Sequence, residues 1–187
     1  DELYVRWTQF GVFSSHFRSH GTAPREPYEY PNVADTVRSW WKLRYALIPY
    51  IVEQAEIASQ AGMPLLRALV MEDEKDPTCW HIDDQYMFGE AFMVAPVMND
   101  QGCRDVYLPA GEWIDFWTGG SLAGQRWLRE VQSPLARMPV YVRQGAKIPI
   151  YPEKVSCTDE MKPEHIENVT IEEGFDGIAV CAELWMN

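Results

Sequence analysis

Three side chains that donate hydrogen bonds, His16, Arg18 and His20, stand at alternate positions in the segment Ser14–His20. If this segment is extended, alternate residues share one face, so the three point the same way and Phe17 points the opposite way. Such a cluster suits a polyhydroxylated or anionic ligand. Two other interpretations stay open at this point: Arg18 pairs with a nearby acid, or the histidines bond backbone carbonyls.

Other kinds of chemistry find little support in the sequence. His16 and His20 form a His-x-x-x-His pair, but this pair binds a metal only on a helix and no carboxylate third ligand is evident. The acidic run Glu72–Asp76 lacks the glycine and terminal glutamate of an EF-hand loop and is most simply a solvated loop. Serine nucleophile elbows, Walker loops and dinucleotide fingerprints are absent. We therefore expect neither a metal nor a cofactor.

The elements that must position the cluster are an apolar segment before it and a loop after it. Tyr4–Ser15 is rich in apolar and aromatic residues and predicts a short helix or strand. Three prolines place Gly21–Pro31 in a loop. Polar residues where a strand gives way to a loop are typical of the end of an α/β unit.

Apolar residues at helical spacing predict one long helix after this loop. Asn32 or Asp35 can cap its start, because a short polar side chain accepts from the unpaired N–H groups there. Gly62 and Pro64 provide its stop. Pro49 lies inside the helix and is expected to kink it, because proline removes a donor and crowds the preceding turn.

From Pro64 the pattern changes to short apolar runs separated by turn signals, which predicts an antiparallel β-sandwich or barrel. After Pro152, the segments Val169–Glu172 and Ile178–Glu183 alternate like two strands joined by a turn. The earlier runs that predict strands are Pro64–Glu72, Phe92–Val97, Arg104–Leu108, Glu112–Trp117, Pro139–Arg143 and Ala146–Ile150.

The composition excludes several classes of protein. The 187 residues are 47% apolar and carry a net charge of −12, which is typical of a folded, acidic globular chain. A negative surface opposes nucleic-acid binding, and the apolar runs are shorter than the ~20 residues of a membrane helix. We found no signal segment near Asp1 and no paired cysteine motif, so we expect a cytoplasmic protein with reduced thiols.

The cluster and the blocks around it resemble glycoside hydrolase family 31, and the Ser-Ser-His-x-Arg-x-His-Gly form of Ser14–Gly21 is most similar to its bacterial α-xylosidase branch. The match begins at Tyr4–Gly11 and covers about residues 3–150. The remaining blocks follow in family order and are Pro64–Glu72, Asp84–Gly89, Met93–Val97, Val106–Pro109, Gly111–Gly119 and Pro139–Ala146.

The resemblance implies an α+β fragment, in which the last α/β elements of a (β/α)8 barrel are followed by an antiparallel β-sandwich domain. Residues 1–62 are expected to form the end of the barrel, residues 63–151 the proximal β-sandwich domain, and residues 152–187 the start of a distal β-domain. A complete barrel takes ~250 residues, so only its end fits in residues 1–62.

The activity that the resemblance implies is retaining hydrolysis of an α-linked xyloside or glucoside, in which one carboxylate attacks the sugar and a second protonates the leaving oxygen. The family's two catalytic aspartates lie upstream of the first matching block, so we assign no catalytic residue and expect the chain alone to be inactive. His20 takes the family position that hydrogen-bonds sugar hydroxyls, and Arg18 the position beside it.

Several alternatives accompany this interpretation. Arg18 is as well suited to a structural ion pair, and His16 is expected to be structural. The chain is a fragment of an α-xylosidase or, alternatively, a fragment of an α-glucosidase. A third alternative is a non-catalytic carbohydrate-binding or interaction protein. Unpaired barrel edges also predict self-association.

Overall fold

The computed structural model describes residues 1–174, in which three α-helices precede ten β-strands. The helices are α1 Glu2–Val12, α2 Ala34–Ala46 and α3 Ile48–Ala61. The strands are β1 Leu66–Ala68, β2 Tyr86–Phe88, β3 Phe92–Val94, β4 Cys103–Leu108, β5 Glu112–Asp115, β6 Ser121–Ala123, β7 Arg126–Gln132, β8 Val140–Arg143, β9 Lys147–Ile150 and β10 Glu167–Thr170.

The strands form one large sheet and two ribbons, all antiparallel. The sheet has six strands in the order β1-β2-β3-β8-β5-β6, and the ribbons are β4–β7 and β9–β10. Successive residues of a strand point to opposite faces. Phe92 and Val94 of β3 therefore join the core on one side of the sheet, and Met93 joins the core on the other.

The six-stranded sheet lies between the helices and the β4–β7 ribbon. On one face Phe13 packs edge-to-face against Phe88 at 5.8 Å, and Trp40 of α2 packs against Trp117 at 5.4 Å. On the other face, the ring of Trp113 is buried among residues of β4. The sheet and the ribbon are the predicted antiparallel sandwich, and the helices share a core with it.

The predicted long helix is two helices. The break falls at Leu47, immediately before the turn that contains Pro49, and α3 ends as predicted at Gly62, whose φ is 72°. The predicted caps are wrong, because α2 starts at Ala34, its N-cap residue is Val33, and no side chain caps it. Asn32 instead donates to Asp1, and Asp35 pairs with Arg38. These two contacts are an Asn32 Nδ2–Asp1 Oδ2 bond of 3.0 Å and an ion pair within α2.

Some strands differ from the prediction. The six predicted strand runs each contain strand residues, whereas β2, β6 and β7 were missed. Strand β10 pairs with β9. The predicted strand Ile178–Glu183 lies outside the described residues.

The acidic run Glu72–Asp76 is a loop, as predicted, and Glu74 and Lys75 in its middle are exposed, but both ends of the run are held by other residues. The Glu72 carboxylate accepts from Arg67 at 3.0 Å and from Arg143 at 3.1 Å, and its side chain is 15% exposed. Asp76 accepts from the backbone N–H of Thr78 at 2.9 Å. The two arginines lie in β1 and β8, and spacing within the run gives no sign of them. The sequence alone therefore does not show that the Glu72 carboxylate is paired.

Within residues 1–174, no helix combines the length and the apolar character needed to cross a membrane.

Candidate functional site

A cavity of about 660 Å³ opens between α1 and the loop that connects α1 to α2. The loop contributes all three polar residues of the sequence cluster, His16, Arg18 and His20. Helix α1 contributes an apolar wall that includes Trp7, and Trp41 of α2 closes one side. The structure thus brings the predicted cluster to one concave surface.

The three polar side chains have no protein partner in the part of the chain that the structure describes. His16, Arg18 and His20 are exposed, and none forms a side-chain hydrogen bond or ion pair with residues 1–174. The ion pair considered for Arg18 and the carbonyl contacts considered for the histidines are therefore absent from this part of the chain. Imidazole and guanidinium groups left free in a cavity can donate to a ligand, and a neutral imidazole can also accept.

The cluster stands in a loop and not at the end of a strand, which corrects the sequence prediction. Strand alternation is consequently only a partial guide to side-chain direction. Phe17 was expected on the opposite face, yet it also reaches the cavity wall, where its ring packs edge-to-face on Trp41 at 6.1 Å. A Cβ on Gly11 would lie 2.4 Å from the Phe17 ring, so only glycine allows this close approach.

The start of the loop is fixed by a buried arginine of α2. Arg44 donates to the carbonyls of Val12 at 2.8 Å, Ser14 at 2.5 Å and Ser15 at 3.2 Å. Burial lowers the pKa of Arg44 to about 10 from 12.5, which leaves it charged at neutral pH. One guanidinium thereby satisfies three carbonyls at and just after the end of α1, where helical partners are lacking.

Helix α1 itself is held by the segment that connects β7 to β8. Arg6 donates to the carbonyls of Ser133 at 2.9 Å and Arg137 at 3.0 Å, and Gln9 donates to the carbonyl of Leu135 at 2.7 Å. These bonds join the first helix to the β-sandwich. The apolar wall of the cavity is therefore positioned by residues that are distant in sequence.

Sequence reasoning missed the residues that α1 and the end of the loop contribute. Tyr4, Trp7, Arg25 and Tyr30 all line the cavity. Tyr4, Trp7 and Gly11 are three and four residues apart, which places them on one face of a helix. That spacing is the signal that could have found the α1 residues, whereas Arg25 and Tyr30 carry no comparable pattern.

Metal binding and disulfide formation find no support in the described residues. No group of three or more His, Cys, Asp or Glu side chains in residues 1–174 is arranged to hold a metal ion. Cys79, Cys103 and Cys157 are free thiols.

Comparison with known proteins assigns the chain to a family. Residues 1–54 match the model of the glycosyl hydrolases family 31 TIM-barrel domain, and residues 62–148 match that of the glycosyl hydrolase family 31 C-terminal domain. The chain belongs to glycosyl hydrolase family 31. The resemblance carried by Ser14–Gly21 and the other blocks is confirmed, and so is the fold class, a barrel end followed by an antiparallel β-sandwich.

Individual family 31 proteins are similar over most of the chain. An α-xylosidase of Saccharolobus solfataricus is 37% identical over 85% of this chain and 22% of its own length. The structure of an α-xylosidase from Xanthomonas citri is 38% identical with a TM-score of 0.78, over 86% of this chain and 18% of that one. A Flavobacterium johnsoniae dextranase complexed with glucose is 34% identical with a TM-score of 0.82, over 92% and 22%. The chain thus spans about a fifth of the length of these relatives.

Proposed function

We propose that this chain supplies part of the sugar-binding subsite of a retaining α-glycoside hydrolase of the α-xylosidase type. His20 hydrogen-bonds sugar hydroxyls, and Arg18 donates beside it. The observation that carries the proposal is the set of unpartnered polar side chains that face the 660 Å³ cavity in a chain of family 31. A sugar hydroxyl both donates and accepts, which matches the neutral imidazole of His20.

The cavity has the mixed lining that sugars need. Trp7 is 63% exposed beside the polar loop, and its ring offers an apolar face to the C–H groups of a pyranose. His20 and Arg18 line the same cavity and supply donors. Aromatic area with a few placed polar groups is the usual composition of a small-molecule site.

The choice between xyloside and glucoside rests on the relatives. Two of them are α-xylosidases, and the Flavobacterium dextranase is complexed with glucose. We therefore place α-xylosides first and α-glucosides second. In a comparison of methyl α-xyloside with methyl α-glucoside, tighter binding of the glucoside would reverse this order.

We propose further that the chain contributes no catalytic carboxylate. Two carboxyl groups about 5–5.5 Å apart perform retaining hydrolysis, and the acids that line the 660 Å³ cavity are limited to Asp1 among residues 1–174. The purified chain should not release nitrophenol from aryl α-xylosides or α-glucosides. Turnover that co-purifies with this chain at constant specific activity would contradict the proposal.

The binding test compares His20→Ala with the unchanged chain by calorimetric or NMR titration with xylose. Monosaccharide binding is expected at millimolar concentrations, and loss of His20 should weaken it about 5- to 10-fold, since one or two hydrogen bonds disappear. His81→Ala is the matched control, because His81 is also exposed but is absent from the cavity lining.

A flat titration of the unchanged chain up to 100-millimolar-scale sugar, on the order of ten times the expected constant, would overturn the proposed function. Saturable binding without any hydrolysis would also be shown by a non-catalytic carbohydrate-binding protein. Addition of the missing family 31 barrel portion in trans separates the two, because only the hydrolase interpretation expects turnover to appear.

We also propose that the open face of α1 supports self-association of the isolated chain. Leu3 and Trp7 are 71% and 63% exposed on one side of that helix, and clustered apolar surface favours contact with a second copy. Light scattering should show a mass above the 21.6 kDa of one chain. A concentration-independent mass of one chain would refute this.

The division of the chain into residues 1–62, 63–151 and 152–187 remains our proposal. Helix α3 ends at Ala61, before the first strand. The first two parts nevertheless share one hydrophobic core, since Trp40 packs against Trp117. Limited proteolysis should therefore release no stable fragment by cleavage near residue 62.

A further inference from the structure

The part of the loop that carries Arg18 and His20, residues 13–26, forms no helix or strand, so something other than a strand ladder must hold it. The side chains of these two residues make no bonds with residues 1–174, as described above. The residue between them, Ser19, does. Its hydroxyl donates to the carbonyl of Arg25 at 2.6 Å, which closes the loop on itself across six positions.

The same carbonyl is bound from helix α1. The hydroxyl of Tyr4 donates to the Arg25 carbonyl at 2.5 Å. The Arg25 carbonyl therefore receives two donors, one from the loop and one from the helix. This shared carbonyl fixes the position of the backbone around Ser19 relative to α1. Arg6 and Gln9 in turn attach α1 to the β-sandwich.

A second set of contacts closes the arrangement into a ring. The Arg25 guanidinium donates to the hydroxyl of Tyr30 at 2.9 Å, and the Tyr30 ring stacks on Tyr4 with centroids 4.0 Å apart and planes 11° apart. A Cβ on Gly21 would lie 3.0 Å from the Arg25 side chain, so glycine lets this side chain cross the loop. We call Tyr4, Ser19, Arg25 and Tyr30 the loop clasp.

We propose that the loop clasp is the positioning device of the sugar subsite, with Tyr4 and Ser19 acting through the Arg25 carbonyl to hold His20 and Arg18 at the cavity. The proposal rests on the proposed function, because it assumes that these two side chains bind sugar. Preorganisation explains the benefit: a loop already fixed in its binding conformation loses less conformational entropy when the ligand arrives.

Two substitutions remove the clasp hydroxyls with little other change. Tyr4→Phe retains the ring that stacks on Tyr30, and Ser19→Ala removes one oxygen atom. Each should weaken xylose binding about 3-fold and the double variant about 10-fold, which corresponds to the loss of one and two ordinary hydrogen bonds. Ser19→Thr retains the hydroxyl and should restore affinity.

A readout on His20 itself distinguishes positioning from a general loss of structure. The imidazole C–H signal of His20, assigned with His20→Ala, should narrow in the double variant as the loop gains motion on the picosecond-to-nanosecond timescale. The signals of His81 and His165 should not change. Tyr28→Phe is the control for Tyr4→Phe, since Tyr28 is 72% exposed and its hydroxyl has no partner in residues 1–174.

The outcomes separate this inference from the proposed function. If the unchanged chain binds no xylose, the proposed function fails, and the His20 line width in the sugar-free chain still tests the clasp. If the chain binds xylose, and Tyr4→Phe with Ser19→Ala leaves both affinity and the His20 signal unchanged, the clasp does not position the site. Equal broadening or narrowing at His81 and His165 would likewise overturn the inference, because the effect would then be global.

Discussion

Helix α1 has two faces that meet very different surroundings. On one face Val5, Gln9 and Val12 are fully buried, and the polar member of this set is bonded to the β-sandwich. On the other face Leu3 and Trp7 are exposed beside the cavity. The first face attaches α1 to the β-sandwich, and the second face is open to a ligand or to another protein surface.

The arginines repeat this contrast. Arg44, at the interface of helices and loop, satisfies three carbonyls, whereas Arg18 in the cavity bonds nothing in residues 1–174. A buried polar group that lacks a partner destabilises the fold, whereas an exposed polar group can bond water until a ligand replaces it. Stability and the proposed binding function therefore depend on separate residues of the same elements.

The largest test of this contrast compares two tryptophans. Trp40 is 3% exposed and Trp7 63%. Trp40→Ala should lower the free energy of unfolding by about 3–5 kcal/mol, because it leaves a cavity against Phe13 and Trp117. Trp7→Ala should change it by less than about 0.5 kcal/mol. Urea unfolding followed by circular dichroism measures both, and similar losses would mean that the open face of α1 is also structural.

The next largest effect is expected when each of the two arginines, Arg44 and Arg18, is replaced by methionine. Arg44→Met leaves three carbonyls near the end of α1 without their donor and should cost about 2–4 kcal/mol of unfolding free energy. Arg18→Met should leave stability within about 0.5 kcal/mol and reduce xylose affinity. A stable Arg44→Met variant would show that water replaces the guanidinium.

Two glycines with positive φ provide a smaller and more local test. At Gly89, a Cβ would lie 2.3 Å from the Tyr50 hydroxyl, whereas at Gly62 it would meet open space. Gly89→Ala should therefore cost about 2–3 kcal/mol through crowding and backbone strain together. Gly62→Ala should cost about 1 kcal/mol, from strain alone. Equal melting temperatures for the two variants would argue against close contact between α3 and the sheet.

The smallest effect is expected at a partly exposed carboxylate that has a partner. The Tyr107 hydroxyl donates to Asp76 and holds the pKa of that carboxyl below its usual 3.8. A pKa lower in the folded state than in the unfolded state means stabilisation above about pH 4 that is lost as the pH falls through the folded value.

Tyr107→Phe should return the pKa of Asp76 toward 3.8, as measured by carbon-13 NMR titration of the carboxyl group. Asp105 is the internal control, because the Glu130 N–H and Arg129 lower its pKa without Tyr107. An unchanged Asp76 titration would show that the backbone N–H of Thr78 suffices to hold the charge.

The parts of the fold that the sequence predicted are those set by local pattern. Pro49 predicted the interruption near Leu47, and Gly62 predicted the end of α3, because each residue acts through its own backbone conformation. Strand β7 was missed because its residues are mostly exposed and do not alternate. The caps of α2 were predicted wrongly because Asn32 bonds Asp1, a partner that helix spacing does not reveal.

The candidate site was predictable only in its loop residues. His16, Arg18 and His20 were found because they are close in sequence and chemically alike. Their setting was misjudged as a strand end, since the apolar residues before them belong to helix α1. The loop clasp depends on Tyr4 meeting Arg25, 21 positions away, and such meetings follow from tertiary packing rather than from local pattern.

The bonds that attach α1 to the segment between β7 and β8 also govern when the chain can fold. Arg6 and Ser133 are 127 positions apart, so a ribosome at about 5–20 residues per second needs roughly 6–25 s to synthesise the partner of a helix already made. During that interval α1 can pack against α2, but it lacks the bonds that join it to the β-sandwich. Contacts of such long range also slow the folding of the completed chain. Helix α1 thus joins the β-sandwich only after residues 133–137 have been synthesised, which is late in the folding of the described residues.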